Sequence, residues 1–225
     1  QKVDDMLLQS EIIEHRRSNI AIVTDSIADL PSSFVDEHQI HMIHLNVLFE
    51  DVNYIDKLTI ETKKILEYSP GKALPTSSQP DTKQVENKFQ YLQTYYDQII
   101  VLTVSQALSG TYNVLNKVAT RLSTNEKPIT VLNTKQNSGA EGLLVMECAR
   151  LVEQNVSYEM IIEKMNEHIS RSKIFVCIKT LENMIKSGRL SIKAGKIAKA
   201  IGMKPIITLD EDGKGGLSGI AFSFN

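Results

Sequence analysis

The stretch "QIIVLTVSQALSGTYN" (98–113) passes from a run of apolar residues into a row of small polar ones. A short, continuous apolar run is typical of a strand that is buried on both faces of a parallel sheet. A helix is predicted near 110–122, directly after the polar row. The stretch therefore predicts one strand–turn–helix unit.

The same unit occurs on either side of this stretch. The runs "NIAIVT" (19–24) and "ITVLN" (129–133) predict two further strands, and helices are predicted after them near 31–38 and 139–153. Continuous apolar strands that alternate with helices are typical of a parallel sheet covered on both faces. The sequence therefore predicts an α/β fold with helices on both faces of a parallel sheet.

Two segments between the first two units carry patterns of their own. The stretch "HMIHLNVLF" (41–49) alternates polar and apolar residues, as a half-buried strand does. The segment "SPGKALPTSSQP" (69–80) is a loop rich in Ser and Pro. Asp81 is predicted to cap the helix that follows, with Gln84 three residues on. The predicted buried face of that helix consists of Val85, Phe89 and Leu92.

The two ends of the chain differ from this central pattern. Residues 1–18 predict an amphipathic lead-in helix, and residues 19–155 form the first α/β domain. Residues 156–225 predict a smaller second α/β domain that is shortened at its C-terminus. Its predicted elements are a helix near 158–170, the strand 173–179, helices capped by Thr180 and Ser191 that end at Gly188 and near Gly202, and two strands around the turn "DEDGKGG" (210–216).

Composition argues against several classes of function. The 225 residues carry a net charge of −2, with 23% charged residues, so no field points to nucleic acid or to an anionic membrane. No apolar run approaches the roughly 18 residues of a transmembrane segment, and no secretory signal opens the chain. Cys148 and Cys177 stand among apolar residues and are predicted to be buried thiols, which favours a reducing, cytoplasmic location.

Polar stretches lie where the predicted strands end or helices begin. In open α/β sheets, ligands bind outside the carboxyl ends of the strands, where helix N-termini offer free N–H groups. One such stretch is usually an ordinary helix cap, but four together favour a site for a small anionic group such as a carboxylate or a phosphate. The four stretches are Asp25 and Ser26; Thr76, Ser77, Ser78 and Gln79; Ser105, Ser109, Gly110 and Thr111; and Thr134, Asn137, Ser138 and Gly139.

Several familiar chemistries lack their motifs in this sequence. There is no phosphate loop of the form G-x-x-x-x-G-K-[ST], and no G-x-G-x-x-G follows a strand. No G-x-S-x-G elbow surrounds Ser109, so it lacks the usual setting of a hydrolase nucleophile. His41 and His44 are three residues apart on a predicted strand and face opposite sides, which is unsuited to a shared metal ion. We therefore predict no catalytic residues and no metal site.

Six motifs occur in this order along the chain: "IVTDSIADLP" (22–31), "YIDKLTI" (54–60), "PTSSQP" (75–80), "LSGTYN" (108–113), "LENMIKSGRLS" (181–191) and "KPIITLDEDGK" (204–214). Together they resemble the DegV family of bacterial fatty-acid-binding proteins, and the resemblance runs from about residue 19 to the end. The lead-in "VDDML" and the stretch "TKQNSGAEGLL" are most similar to the DegV domain of larger proteins that also carry a dihydroxyacetone-kinase-like domain.

The resemblance implies a two-domain α/β fold that binds a long-chain fatty acid between its domains, with no other cofactor. It also implies that the chain is not itself an enzyme. It further implies that a separate fatty-acid kinase, or a fused dihydroxyacetone-kinase-like domain, phosphorylates the bound carboxylate, and that the acyl-phosphate enters phospholipid synthesis.

The resemblance also assigns residues to the site. Ser77 and Ser109 match the hydroxyls that hold the carboxylate, although Ser77 is a serine where the family usually has threonine. The neighbours that shape the head site match Ser78, Gln79, Gly110 and Thr111, and Asp25 and Ser26 belong to the same predicted site. Gly188 and Arg189 match a G-R pair near the mouth of the pocket.

The sequence leads to one further expectation and one alternative function. Family members continue beyond the residue that matches Asn225, so part of the pocket wall is expected to be missing here. The alternative function is an enzyme, or a kinase-associated module, that acts on a small phosphorylated or keto metabolite. The anion-suited loops favour that alternative, and the lack of acid–base residues in those loops speaks against it.

Overall fold

In a computed structural model, the described residues are 16–68, 75–179, 181–190 and 204–222. Most of the predicted lead-in helix, the predicted cap Thr180 and the predicted helix after Ser191 lie outside them. The strands are β1 (Ile20–Asp25), β2 (His41–Ile43), β3 (Asn46–Phe49), β4 (Val52–Ile55), β5 (Thr76–Ser78), β6 (Gln98–Thr103), β7 (Ile129–Asn133), β8 (Phe175–Cys177), β9 (Lys204–Leu209) and β10 (Gly215–Ala221). The helices are α1 (Ser32–Glu37), α2 (Thr62–Tyr68), α3 (Thr82–Tyr95), α4 (Thr111–Leu122), α5 (Ser138–Glu153), α6 (Tyr158–Arg171) and α7 (Glu182–Lys186).

The central sheet has four strands in the order β2-β1-β6-β7. All neighbouring pairs are parallel, and the register sets Val23 beside Val101 and Val101 beside Val131. Parallel strands need crossover connections, which the helices between β1, β6 and β7 provide. The predicted α/β fold with a parallel sheet is confirmed.

Alternating side chains of the sheet enter two separate cores. Ile22 and Leu102 pack with residues of α5 and α6 on one face. Val23 and Val101 pack with residues of α3 and α4 on the other face. Because successive strand residues point to opposite faces, a continuous apolar run supplies both cores. The predicted covering of both faces by helices is therefore confirmed.

Helix α3 begins as the sequence predicts. The Asp81 side chain accepts hydrogen bonds from the backbone N–H groups of Lys83 and Gln84, at 2.9 and 3.1 Å. These bonds satisfy N–H groups that have no partner within the helix. The predicted buried face is also confirmed, and it consists of Val85, Phe89 and Leu92.

Helix α6 packs on the central sheet although it follows the predicted domain boundary at 155. Ile161 and Met165 are fully buried in the same core as Ile22 and Leu102. The Tyr158 hydroxyl donates a hydrogen bond of 2.7 Å to the Thr130 hydroxyl. The core on this face of the central sheet therefore includes residues of α6. The division into two domains itself stays a prediction.

The segment 41–49 is divided between two sheets. His41–Ile43 is β2 of the central sheet, whereas Asn46–Phe49 is β3, the middle strand of a three-stranded antiparallel sheet in the order β4-β3-β5. The Ser26 side chain accepts from the Leu45 N–H at 3.1 Å, at the point where the chain leaves the central sheet. The end of the predicted loop 69–80 also forms part of this small sheet, as β5.

A second antiparallel sheet, in the order β10-β9-β8, forms the smaller unit together with α7. β8 covers Phe175–Cys177, which is shorter than the predicted strand 173–179, and all three of its residues are exposed. Cys148 is buried in the first core, but Cys177 is an exposed free thiol. The prediction that Cys177 is buried is therefore wrong. β8 is an edge strand of its sheet, and its side chains are left exposed.

Candidate functional site

The carboxyl edge of the central sheet brings together the polar stretches that follow β1, β6 and β7. The strands β1, β6 and β7 are parallel neighbours. Their last residues, Asp25, Thr103 and Asn133, therefore lie at the same edge of the sheet. The turn between β6 and α4 starts beside the turn after β7, and the Ser105 N–H donates to the Gln136 carbonyl at 2.8 Å. This edge is where α/β proteins bind their ligands.

Asp25 joins β1 to β6 at this edge. Its two carboxylate oxygens accept from the N–H groups of Ile27 and Val104, at 2.9 and 2.8 Å. Burial raises the pKa of Asp25 to about 6, and the two N–H groups oppose that rise. Ser26 is also buried, and its hydroxyl accepts from Leu45. Both residues are predicted to belong to the ligand site, and that assignment stays a prediction; the structure shows that their side-chain oxygens bond backbone groups of neighbouring segments.

The turn 104–110 is organised by Ser105. Its carbonyl accepts from the N–H groups of Leu108 and Ser109, at 3.0 and 3.2 Å. Its side-chain oxygen accepts from the Ala107 N–H at 3.2 Å. Ser105 is fully buried, so these bonds are shielded from competing water. The position of Ser109 therefore depends on Ser105.

Ser109 and Thr111 present hydroxyls at the start of α4. The two hydroxyl oxygens are hydrogen-bonded at 2.9 Å, and the Ser109 oxygen also lies 3.3 Å from the Thr111 N–H, which donates to it. Ser109 is half-buried and Thr111 is fully buried. The first N–H groups of a helix have no partner inside it and carry the positive end of the helix dipole. This pair of residues can therefore orient a donor toward an anion.

The second predicted loop meets the first through Gln79. A Cβ atom placed on Gly110 would lie 2.2 Å from the side-chain oxygen of Gln79. The Gly110 backbone is helical (φ −70°), so only the close approach of Gln79, and not an unusual conformation, calls for glycine there. The stretches containing Ser77 to Gln79 and Ser109 to Thr111 are thus in contact.

The register of β5 separates its two serines. Ser77 pairs with Val47 and Ser78 pairs with Asn46 on β3. Paired residues of an antiparallel sheet point to the same face, and successive residues point to opposite faces. Ser77 therefore lies on the face that carries the small apolar cluster of Val47, Phe49 and Ile60, and Ser78 lies on the other face.

The smaller unit contacts the turn 104–110 at two places. The Arg189 side chain donates from Nε to the Leu108 carbonyl at 3.2 Å. The Ser105 hydroxyl donates to the Gly213 carbonyl at 2.8 Å. Arg189 was predicted near the pocket, and the structure places it against the turn that carries Ser109. The sequence predicts Gly213 only as a turn residue between two strands. Its contact with Ser105 could not be predicted, because no local pattern indicates a contact between residues 108 positions apart.

Glu141 is a buried carboxyl group that the sequence analysis did not single out. It lies in the first turn of α5 and is fully buried, and neither carboxylate oxygen has a hydrogen-bond partner among the described residues. Burial raises the pKa of Glu141 well above its usual value, and the nearby charge of Asp25 raises it further. Helical spacing would have revealed it, because Glu141 shares a helix face with Val145 and Cys148.

Two structural features are absent from the described residues. None of their helices is long and apolar enough to cross a membrane. In the same part of the chain, no group of three or more His, Cys, Asp or Glu side chains is arranged to hold a metal ion.

Comparison with known proteins matches residues 19–222 to a family model described as "Uncharacterised protein, DegV family". One similar relative is a DegV domain-containing protein from Clostridium acetobutylicum. It is 31% identical over 195 residues, which are 86% of this chain and 68% of that protein.

Solved structures of two relatives have the same fold. A DegV family protein from Thermus thermophilus, described with fatty acid binding, matches with a TM-score of 0.82 and 26% identity, over 91% of this chain and 72% of that one. DegV from Bacillus subtilis, described as a fatty acid binding protein, matches with a TM-score of 0.75 and 27% identity, over 87% of this chain and 69% of that one.

Proposed function

The chain belongs to the DegV family, and from that premise we propose that it binds a long-chain fatty acid between its two units. The hydroxyls of Ser77 and Ser109 hold the carboxylate, and Ser78, Gln79, Gly110 and Thr111 shape the space around it. Two similar proteins of known structure are described as binding fatty acids. Arg189 lies at the mouth of this site.

The contact of Gln79 with Gly110 is the observation that carries this proposal. It joins two stretches that are about 30 residues apart in sequence, each of which offers hydroxyls or a helix N-terminus. A carboxylate needs several donors that converge from different directions, because it accepts hydrogen bonds at both of its oxygens. A single helix cap would not need the second stretch.

Affinity and orientation come from different parts of the ligand. Each buried methylene contributes about 0.8 kcal/mol, so a tail of about 15 methylenes offers roughly 12 kcal/mol before the costs of ordering. A hydrogen bond to the charged head adds about 1.5–3 kcal/mol. The tail therefore provides most of the affinity, and the serines decide where the carboxylate points.

We further propose that the bound carboxylate is presented to a fatty-acid kinase, which forms an acyl-phosphate with ATP for phospholipid synthesis. That kinase is a separate subunit or a fused dihydroxyacetone-kinase-like domain. Because ATP is the phosphate donor, the proposed place of action is the cytoplasm. This chain contributes orientation to that reaction and supplies no nucleophile of its own.

Mass spectrometry of organic extracts from the purified chain tests the binding step. We expect a long-chain fatty acid in an amount comparable with the protein. A fatty acid of a different chain length, its methyl ester and a sugar phosphate are then added to separate samples, and the mass spectra show which of them displaces the co-purified fatty acid. Recovery of only short polar metabolites, or displacement by the sugar phosphate alone, would favour the enzyme alternative and contradict the proposal.

The kinase step has a separate test. The chain is mixed with fatty acid, ATP and a purified fatty-acid kinase, and hydroxylamine traps any acyl-phosphate as a hydroxamate. We expect hydroxamate only when both proteins are present. Hydroxamate formation by this chain without a kinase would contradict the assignment of a carrier.

A further inference from the structure

We propose that Ser105 and Gly213 form a clamp that makes carboxylate capture depend on the smaller unit. Ser105 is the positioning residue, since it acts through Ser109, and the hairpin of β9 and β10 supplies its partner. The inference rests on the proposed fatty-acid function and adds to it the reason why the hairpin is needed at the head site.

The first half of the clamp is the set of bonds made by Ser105. Its carbonyl holds the N–H of Ser109, and its hydroxyl donates to the Gly213 carbonyl at 2.8 Å. The same oxygen accepts from Ala107. One buried residue thus bonds both to the turn that carries Ser109 and to the hairpin. A shift of the hairpin would remove the partner that fixes the Ser105 side chain.

The second half is the shape of the backbone at Gly213. Its φ is +78°, in the left-handed region that residues with a Cβ rarely adopt. A Cβ atom there would lie 2.1 Å from the Ser105 hydroxyl oxygen and 3.1 Å from the Lys135 Cα. Two separate requirements, conformation and close approach, therefore both call for glycine at this point of the hairpin.

A neighbouring contact holds the same two parts together. Arg189 donates to the Leu108 carbonyl, one residue before Ser109. The Arg189 carbonyl in turn lies 2.6 Å from where a Cβ on Gly215 would be. The smaller unit therefore touches the turn on both sides of Ala107, through Gly213 and through Arg189. The hairpin and the segment after α7 support the turn jointly.

The variants Ser105→Ala and Gly213→Ala test the clamp, and Gly216→Ala is the matched control. Gly216 lies in the same hairpin, and a Cβ on it would meet nothing within 4 Å. We expect Ser105→Ala and Gly213→Ala each to bind a free fatty acid about tenfold more weakly, as expected for the loss of about one well-placed hydrogen bond. We expect Gly216→Ala to bind it like the wild type.

The methyl ester of the same fatty acid separates positioning from general damage. A displaced Ser109 weakens binding of the charged head, so affinity for the acid should fall while affinity for the ester stays unchanged. Equal losses for acid and ester would overturn the clamp. The double variant Ser105→Ala/Gly213→Ala should lose less than the sum of the two single losses, since both changes break the contact between Ser105 and Gly213; additive losses would also overturn it.

Hydrogen exchange gives a readout that needs no ligand. Amides in a peptide covering 104–112 should exchange faster in Gly213→Ala than in Gly216→Ala, because the bonds from Leu108 and Ser109 to Ser105 loosen. Equal exchange in the two variants overturns the clamp. If the wild-type chain binds no fatty acid, the proposed function fails, and this exchange comparison alone decides the clamp.

Discussion

At the scale of single residues, two buried carboxyl groups behave differently because their partners differ. Asp25 accepts two backbone N–H bonds, which stabilise its charged form, whereas Glu141 has no hydrogen-bond partner among the described residues. Burial raises the pKa of both, to about 6 for Asp25 and well above the usual value for Glu141. The same chemical change, from carboxyl to amide, should therefore have different effects at the two positions.

Replacement of Asp25 by Asn should destabilise the fold. An amide has only one accepting oxygen, so one of the N–H groups of Ile27 and Val104 would face an NH₂ group. We expect the free energy of unfolding at pH 7 to fall by about 1–3 kcal/mol, the usual cost of an unpaired buried polar group. Urea denaturation measures it. A variant as stable as the wild type would contradict this role for Asp25.

Replacement of Glu141 by Gln should change how stability depends on pH. Because the pKa of Glu141 is raised on folding, the folded state holds its proton at pH values where the unfolded state has lost it. The wild-type free energy of unfolding therefore decreases as pH rises above the usual Glu value, and the variant lacks this decrease. Denaturation between pH 5 and 8 should show that the free energy of unfolding of the variant rises relative to that of the wild type as the pH rises. Parallel curves would contradict the assignment.

Replacement of Ser109 by Ala should weaken binding of the carboxylate much more than it affects the fold. We expect about 10–100-fold weaker binding of a free fatty acid, since a hydrogen bond to a charged group contributes about 1.5–3 kcal/mol. Ser123→Ala is the matched control, because the Ser123 hydroxyl also accepts from a backbone N–H, that of Ile129 at 2.9 Å, but lies at the other end of α4. Fluorescent fatty-acid titration measures both variants, and equal affinities would exclude Ser109 from the head site.

At the scale of elements, the site depends on a contact between the turn after β5 and the start of α4. Gln79 and Gly110 form that contact, and the Gly110 backbone would accept alanine without strain. The atom that an added Cβ would meet is the end of a flexible side chain, which can rotate away. Loss of the contact should therefore affect ligand geometry more than stability.

Gly110→Ala should weaken fatty-acid binding about fivefold to tenfold by displacing Gln79, with a change in the free energy of unfolding below about 1 kcal/mol. Gly216→Ala is the control, because Gly216 lies outside the predicted polar stretches and a Cβ on it meets nothing within 4 Å. Calorimetric titration and thermal melting measure the two effects. The double variant with Gln79→Ala should match Gln79→Ala alone; a further loss would show that Gly110 acts by another route.

Elements set by local patterns could be predicted from the sequence, and contacts between distant segments could not. Apolar runs predicted β1, β6 and β7, and the cap at Asp81 predicted the start of α3. The pairing of Ser77 with Val47 was missed because a three-residue strand carries too little periodicity to be distinguished from a loop. The contact of Ser105 with Gly213 was missed for a similar reason, since it joins two turns that are each ordinary by themselves.

At the scale of the whole molecule, the first core continues to Ile169 in α6. The α6 residues Ile161 and Met165 are fully buried on the central sheet, and Tyr158 and Ile169 are nearly so. Burial of each such side chain contributes about 1.5–3 kcal/mol. Their sum is comparable with the 5–15 kcal/mol by which a typical domain is stable. The helix is therefore part of what keeps the first unit folded.

Two truncated chains test this assignment of α6. A chain ending at Asn155 lacks the helix and should show no cooperative thermal transition, whereas a chain ending at Ser172 keeps it and should unfold cooperatively. Circular dichroism during heating distinguishes the two. A cooperative transition for the shorter chain would contradict this role of α6 and support the predicted boundary at 155. If neither chain unfolds cooperatively, the first unit also needs residues after Ser172, such as the hairpin of β9 and β10 that contacts Ser105.

The two cysteines have different surroundings, so a thiol reagent should label Cys177 selectively. Burial raises the pKa of the Cys148 thiol to about 12, and that side chain is closed to solvent, so its reactive thiolate form is scarce. Cys177 is exposed on β8. A maleimide dye should therefore add once per native chain, which intact mass measurement can verify. The dye would sit on the smaller unit without any substitution, and a change in its emission after addition of a fatty acid would report binding near that unit.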